Sequence, residues 1–128
     1  KTDDHYLDGE EFRREGSFYE AFIEKEHLEK NYMEGSPYLA YSGRDYSETI
    51  TINKNISEGK ILIIRDSFSC VATPLLSLAA CRELHTLDMR NFYGSVSEYA
   101  LKLKPDMVIV MLNPSMFRYY RFNFSEKV

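Results

Sequence analysis

The chain has no tryptophan and only two cysteines, Cys70 and Cys81, among its 128 residues. Two thiols make no disulfide framework. If both lay on one helix, their separation of eleven positions would set them about 16 Å apart along the axis, beyond bridging reach. They read as small buried thiols, and they neither exclude nor demand an extracellular address. No apolar run approaches the roughly 20 residues that span a bilayer, and none has the charged-then-apolar form of a signal peptide. A block of basic residues able to track a phosphate backbone is also missing, so no nucleic-acid partner is expected. Internal repeats and low-complexity tracts are absent. The first residue is Lys1 rather than Met, so the chain is expected to be cut from something longer, whose earlier part has room for an export signal.

What is present is ordinary globular composition, 44% apolar and 28% charged, at a length that suits a single domain over 1–128. The net charge of -4 is unevenly spread: residues 1–34 carry 11 Asp or Glu against 5 Lys or Arg, and the remainder 9 against 11. Ten tyrosines and eight phenylalanines are the unusual feature. A tyrosine ring offers a flat apolar face and a polar tip, which suits carbohydrate and protein contacts, although core packing uses the same rings.

The second half is the more readable. Lys60-Ile61-Leu62-Ile63-Ile64-Arg65 follows Gly59 as a short apolar run and reads as a strand buried on both faces. A helix is predicted over about 71–84, with Pro74 in its first turn, where a missing N–H costs nothing. Thr86–Met89 reads as a second strand. Ser95 and Glu98 have capping-box spacing for a helix running to about Lys104, which Pro105 ends. Met107–Leu112 reads as a third buried strand. Strand, helix, strand, helix, strand at this spacing is a βαβαβ unit with a parallel sheet and right-handed crossovers. In the first half, Ser17 and Glu20 also fit a capping box, before a helix over roughly 17–31. Glu48–Asn53 alternates at period two, as a half-exposed strand does.

Loops at the carboxyl ends of parallel strands are where α/β proteins place their chemistry, and Asp66-Ser67 lies at such an end. Ser67 there is a candidate nucleophile, with amides of the following helical turn available for an oxyanion. The alternative, favoured on position alone, is that Ser67 is a helix N-cap and Asp66 a turn residue. A nucleophilic serine needs a histidine oriented by a carboxylate. His85 beside a strand start reads as a surface or boundary residue, and His27 within Glu24-Lys25-Glu26-His27 as part of a solvated face. His5 remains, with Asp3 two residues earlier placed to orient it; the alternative is an acidic chain end. Asp4 and Asp8 add oxygens near His5, but there is no second histidine and no known metal-loop spacing, so no metal and no cofactor are expected.

Three stretches, in order, resemble the C-terminal portion of DHHW-family proteins, relatives of the SGNH hydrolase-like alginate O-acetylation proteins. Thr2-Asp3-Asp4-His5-Tyr6 looks like the family's Thr-Asp-His-His-Trp signature. Lys60 to Ser69, ending in Arg65-Asp66-Ser67-Phe68-Ser69, looks like its strand and serine turn. Leu87-Asp88-Met89-Arg90-Asn91-Phe92 followed by Lys104–Ile109 looks like its Asp-x-Arg segment and final strand. The resemblance implies an α/β three-layer sandwich with a parallel sheet, of which this chain is an incomplete part. It also implies Ser67 as nucleophile, His5 as general base and Asp3 as its orienter.

The activity so implied is acyl transfer on a carbohydrate through an acetyl-serine, as a polysaccharide O-acetyltransferase or an acetyl esterase. Its partners would be a polysaccharide acceptor and an acyl donor, at a secreted or membrane-anchored, extracytoplasmic location. The departures are Asp4 for the first histidine, Tyr6 for tryptophan, Arg65 where SGNH hydrolases have glycine, and Cys70 where related sequences often have Asn. The separate oxyanion Gly and Asn blocks have no clear counterpart. Asp4, Tyr6 and the missing oxyanion blocks favour the alternative of a non-catalytic α/β glycan-binding or assembly module. Asp88 and Arg90 read either as a structural ion pair or as part of the site wall.

Overall fold

The computed structural model describes residues 13–29, 40–41, 46–79 and 81–118. Among these, four strands form one sheet in the spatial order β1-β3-β2-β4: β1 (Glu48–Ile52), β2 (Lys60–Arg65), β3 (Glu83–Asp88) and β4 (Met107–Met111). The apolar run at 60–65 becomes the central β2, buried from Ile61 to Arg65. It pairs in parallel with β3 on one side and with β4 on the other.

The expected all-parallel sheet is corrected at one edge, where β1 runs antiparallel to β3. Only residues 53–59 connect β1 to β2, and a parallel crossover needs a dozen or more. The chain therefore turns back beneath the start of β3: Ile52 and Lys60 both lie opposite Glu83. β4 is the other edge rather than a buried strand, with Met107, Val108 and Val110 half-exposed.

Alternation along the strands divides the core in two. Leu62, Ile64, Leu87 and Met89 pack beneath α4 (Val96–Leu103) through Val96, Tyr99, Ala100 and Leu103. On the opposite face Ile61, Ile63, Leu84 and Cys81 meet Leu76 of α3 (Ala72–Ala79). Helices on both faces of the sheet make an α/β sandwich. Both cysteines are buried and unbridged, as expected. Ser95 caps α4 by accepting from the Glu98 N–H, and Lys104 closes it in a left-handed conformation at φ 52°.

α3 is shorter than the predicted 71–84. Asn53, from the β1–β2 link, donates its side-chain amide to the Ser77 and Leu78 carbonyls at 3.0 and 3.2 Å and so closes the helix end. Cys81 is then buried against the sheet, and β3 opens at Glu83, three residues earlier than predicted. The helix predicted over 17–31 is two short ones, α1 (Phe18–Phe22) and α2 (Lys25–Leu28). Ser17 and Glu20 form the complete capping box, but Ile23 leaves the helix to bridge Tyr41, and the Glu24 N–H donates to the Ala40 carbonyl.

Two histidine assignments are corrected as well. His27 is not solvated: Nε2 lies 3.1 Å from Glu24 Oε2, and Glu24 also pairs with Arg14. His85, read as a surface or boundary residue, is 6% exposed within β3. Its Nδ1 is 2.8 Å from the Tyr99 hydroxyl, which donates to Glu48. The hydroxyl oxygen therefore accepts from Nδ1–H, and Nε2 is the unprotonated nitrogen of a neutral ring. That nitrogen is buried without a hydrogen bond, 3.5 Å from Glu83 Oε2, while Glu83 pairs with Lys60.

Burial lowers the His85 pKa and outweighs the opposing pull of Glu83 and Glu48. Above about pH 6.5 the ring is neutral in both folded and unfolded chains, and its contribution to stability is intact. Below that value the unfolded chain takes up a proton that the fold resists, so stability falls. We expect the melting temperature to drop between pH 7.5 and 5.5, and to drop less in His85→Asn. Parallel pH profiles for the two proteins would refute this.

Candidate active site

The carboxyl ends of the three parallel strands lie side by side, and each contributes to one polar cluster. Asp66 leaves β2 in extended conformation and caps the 3-10 turn Ser67–Ser69. Its Oδ1 accepts from the Phe68 N–H at 2.9 Å, and its Oδ2 accepts from the Asn113 N–H, beyond β4, at 2.6 Å. The N-cap is thus Asp66. Ser67 is the first residue of the turn, half-buried, and its hydroxyl makes no hydrogen bond to a described residue. The capping role open to Ser67 in the sequence is filled by its neighbour.

Arg65 braces the same turn from the other side. Its side chain is 4% exposed and fans out across the end of β3. Nε donates to Thr86 Oγ1 at 3.2 Å, Nη1 to Asp88 Oδ2 at 3.2 Å, and Nη2 to the Tyr46 carbonyl at 3.0 Å. Nη1 also lies 3.4 Å from Cys70 Sγ and 3.5 Å from the Asp66 carbonyl oxygen, on either side of Ser67. Asp88 is fully buried and is shared: Arg90 Nε donates to Oδ1 at 3.0 Å and Nη2 to Oδ2 at 2.7 Å. Asp88 and Arg90 are therefore an ion pair, and one that joins the serine turn through Arg65.

The oxyanion expectation is corrected in part. The Ser69 N–H donates to the Asp66 carbonyl and the Cys70 N–H to the Ser67 carbonyl, while the Phe68 N–H is held by the Asp66 carboxylate. Of the amides from Ser67 to Cys70, only that of Ser67 has no partner among the described residues. Two aromatic rings stand open on the loops that follow β2 and β3, Phe68 at 70% and Tyr93 at 60% exposure.

Asp3 and His5 lie outside the described residues. His85 sits mid-strand on the α4 face and takes no part in the cluster. Among the described residues one group has metal-ligand proximity, Glu24, Glu26 and His27. It belongs to α2 and the residue before it, and Glu24 is already paired with Arg14 and His27. Sequence reasoning missed Arg65, Thr86 and Asn113 as partners of the turn. The signal available was a cation and an anion, Arg65 and Asp88, closing adjacent strands; the register places them directly opposite.

No protein-family model matches the chain, and no curated protein matches it. Solved structures do. PatB1 from Bacillus cereus is similar in two structures. One is 24% identical over 80% of this chain with a TM-score of 0.66. The other carries a sulfonyl adduct and is 25% identical over 73% with a TM-score of 0.63. A DHHW family protein from Eubacterium siraeum is 18% identical over 59% with a TM-score of 0.54. The chain spans 31–33% of the PatB1 chains and 25% of the DHHW protein. It shares their fold.

Asp66→Ala removes a cap and leaves the Asn113 N–H without its acceptor. We expect it to cost about 2–3 kcal/mol in chemical denaturation. A loss within about 0.5 kcal/mol, the range of an ordinary surface substitution, would contradict this bracing role.

Proposed function

We propose that this chain carries the nucleophile of an acyl-transfer site that acts on carbohydrate. The observation that carries the reading is the state of Ser67. It sits at the carboxyl end of the central strand, opens a helical turn that its neighbour caps, and keeps a hydroxyl uncommitted among the described residues. The likeness to PatB1 supports the same reading, since sulfonyl electrophiles are captured by activated nucleophiles and one PatB1 structure bears such an adduct.

In this reading His5, oriented by Asp3, takes the proton of the Ser67 hydroxyl as Oγ bonds to the carbonyl carbon of an acetyl donor. The donor's C–O bond then breaks, its oxygen leaves with the proton from the imidazolium, and acetyl-serine remains. A sugar hydroxyl gives its proton to His5 as its oxygen attacks the same carbon, the Oγ–carbonyl bond breaks, and Ser67 Oγ takes the proton back from the imidazolium; with water in place of the sugar, acetate is released and the reaction is an esterase's. The Ser67 N–H, without a partner among the described residues, is available to the developing oxyanion. Phe68 and Tyr93 offer exposed ring faces of the kind that stack on sugars. A polysaccharide acceptor accords with an extracytoplasmic location.

The engaged amides of Phe68, Ser69 and Cys70 favour a second reading, a glycan-binding module without turnover. One experiment separates the two. The full chain should hydrolyse a small acetyl ester, and Ser67→Ala should lower the rate on the order of 10³-fold or more with the melting temperature unchanged. Glycan affinity with no Ser67-dependent turnover would establish the second reading instead.

A further inference from the structure

Two buried charged residues precede Ser67, and each reaches a different part of the chain. Asp66 ties the turn to the segment after β4 through the Asn113 N–H. Arg65 ties it to β3 through Thr86 and Asp88. The two ties differ in reach. The Asp66 carboxylate grips one amide inside the turn, whereas the Arg65 guanidinium lies beneath both of its ends, 3.5 Å from the Asp66 carbonyl and 3.4 Å from Cys70 Sγ.

We propose that Arg65 is a positioning residue for Ser67, which fixes the height and direction of its hydroxyl by locking both ends of the serine turn to β3. This rests on the reading of Ser67 as nucleophile. A guanidinium does this where an ammonium does not. It is planar, with donors in a rigid fork, and here the fork meets five acceptor atoms from four parts of the chain. A lysine keeps the charge for Asp88 but has a single point of contact, so the turn loses its angular definition. A displacement of about 1 Å at a reacting group lowers a rate by as much as about 10²-fold.

The test uses the full chain with a small acetyl ester for turnover and a sulfonyl fluoride for stoichiometric labelling of Ser67, read by intact mass. In Arg65→Lys, kcat and the labelling rate should both fall about 10- to 100-fold while KM stays within about twofold. A purely structural role would lower the melting temperature and leave the kcat of the folded protein unchanged. Thr86→Val and Thr86→Ser give a second measure if Arg65→Lys does not fold. Valine removes the acceptor of Arg65 Nε and should slow both reactions, whereas serine retains the hydroxyl and should restore them.

Wild-type kcat and labelling in folded Arg65→Lys would overturn the positioning role and leave the Ser67 reading standing. If Arg65→Lys does not fold, the same result in folded Thr86→Val would do so. A wild-type chain that neither turns over nor labels at Ser67 would overturn the nucleophile reading, and the positioning role with it.

Discussion

The contact on which the rest of this structure depends is the one between Arg65 and Asp88, opposite each other where two parallel strands end. Both are buried, and burying an ion is costly unless its donors and acceptors are met. Here they are. Arg65 is met by Asp88, Thr86, the Tyr46 carbonyl, the Asp66 carbonyl and Cys70, and Asp88 receives two guanidinium groups and the Arg90 N–H. A pair so placed does two things at once. It fixes the register of β2 against β3, because a slip of one residue would turn Arg65 into the opposite, apolar half of the core. It also carries that register past the end of the sheet into the serine turn, so a loop inherits the rigidity of a strand pair.

A second polar network lies on the other face and serves a different purpose. Glu48, Tyr99, His85, Glu83 and Lys60 join β1, α4, β3 and β2 through side chains alone. The first network is saturated around its charges, and this one has an open position at His85 Nε2. The Arg65 cluster is thus built to hold geometry, and the His85 cluster is the part of the core that responds to protonation. Their separation by the sheet keeps a proton taken up at His85 away from the serine turn.

Much of the fold was legible in the residues. The apolar run at 60–65 becomes the central strand, and the Ser95/Glu98 spacing starts α4 where expected. The misplaced boundaries share one cause, a long-range partner that periodicity does not show. Asn53 closes α3 from 24 residues away, and Tyr41 and Ala40 pull Ile23 and Glu24 out of a continuous helix. His27 was misread because its neighbour Glu24, which pairs with it, is itself held by Arg14, and His85 because β3 starts earlier than its residues suggest and Tyr99 reaches it from α4. In the site, Asp66-Ser67 was found by position, but the braces were not, because Thr86 and Asn113 become neighbours only through sheet order.

The order of two residues decides which of them caps the turn after β2. Asp and Ser are both good N-caps, and either could have opened the turn after β2. With serine as the cap, its oxygen would accept from an amide of the turn and a base would have to compete for the hydroxyl. With Asp66 as the cap, the same amide is held by a carboxylate whose other oxygen reaches Asn113. Capping and cross-strand bracing are then both done by the Asp66 carboxylate. The serine one position on inherits a fixed backbone and a hydroxyl that bonds to none of the described residues. That arrangement depends on Asp66 staying buried, with one carboxylate oxygen held by the Phe68 N–H of its own turn and the other by the Asn113 N–H beyond β4.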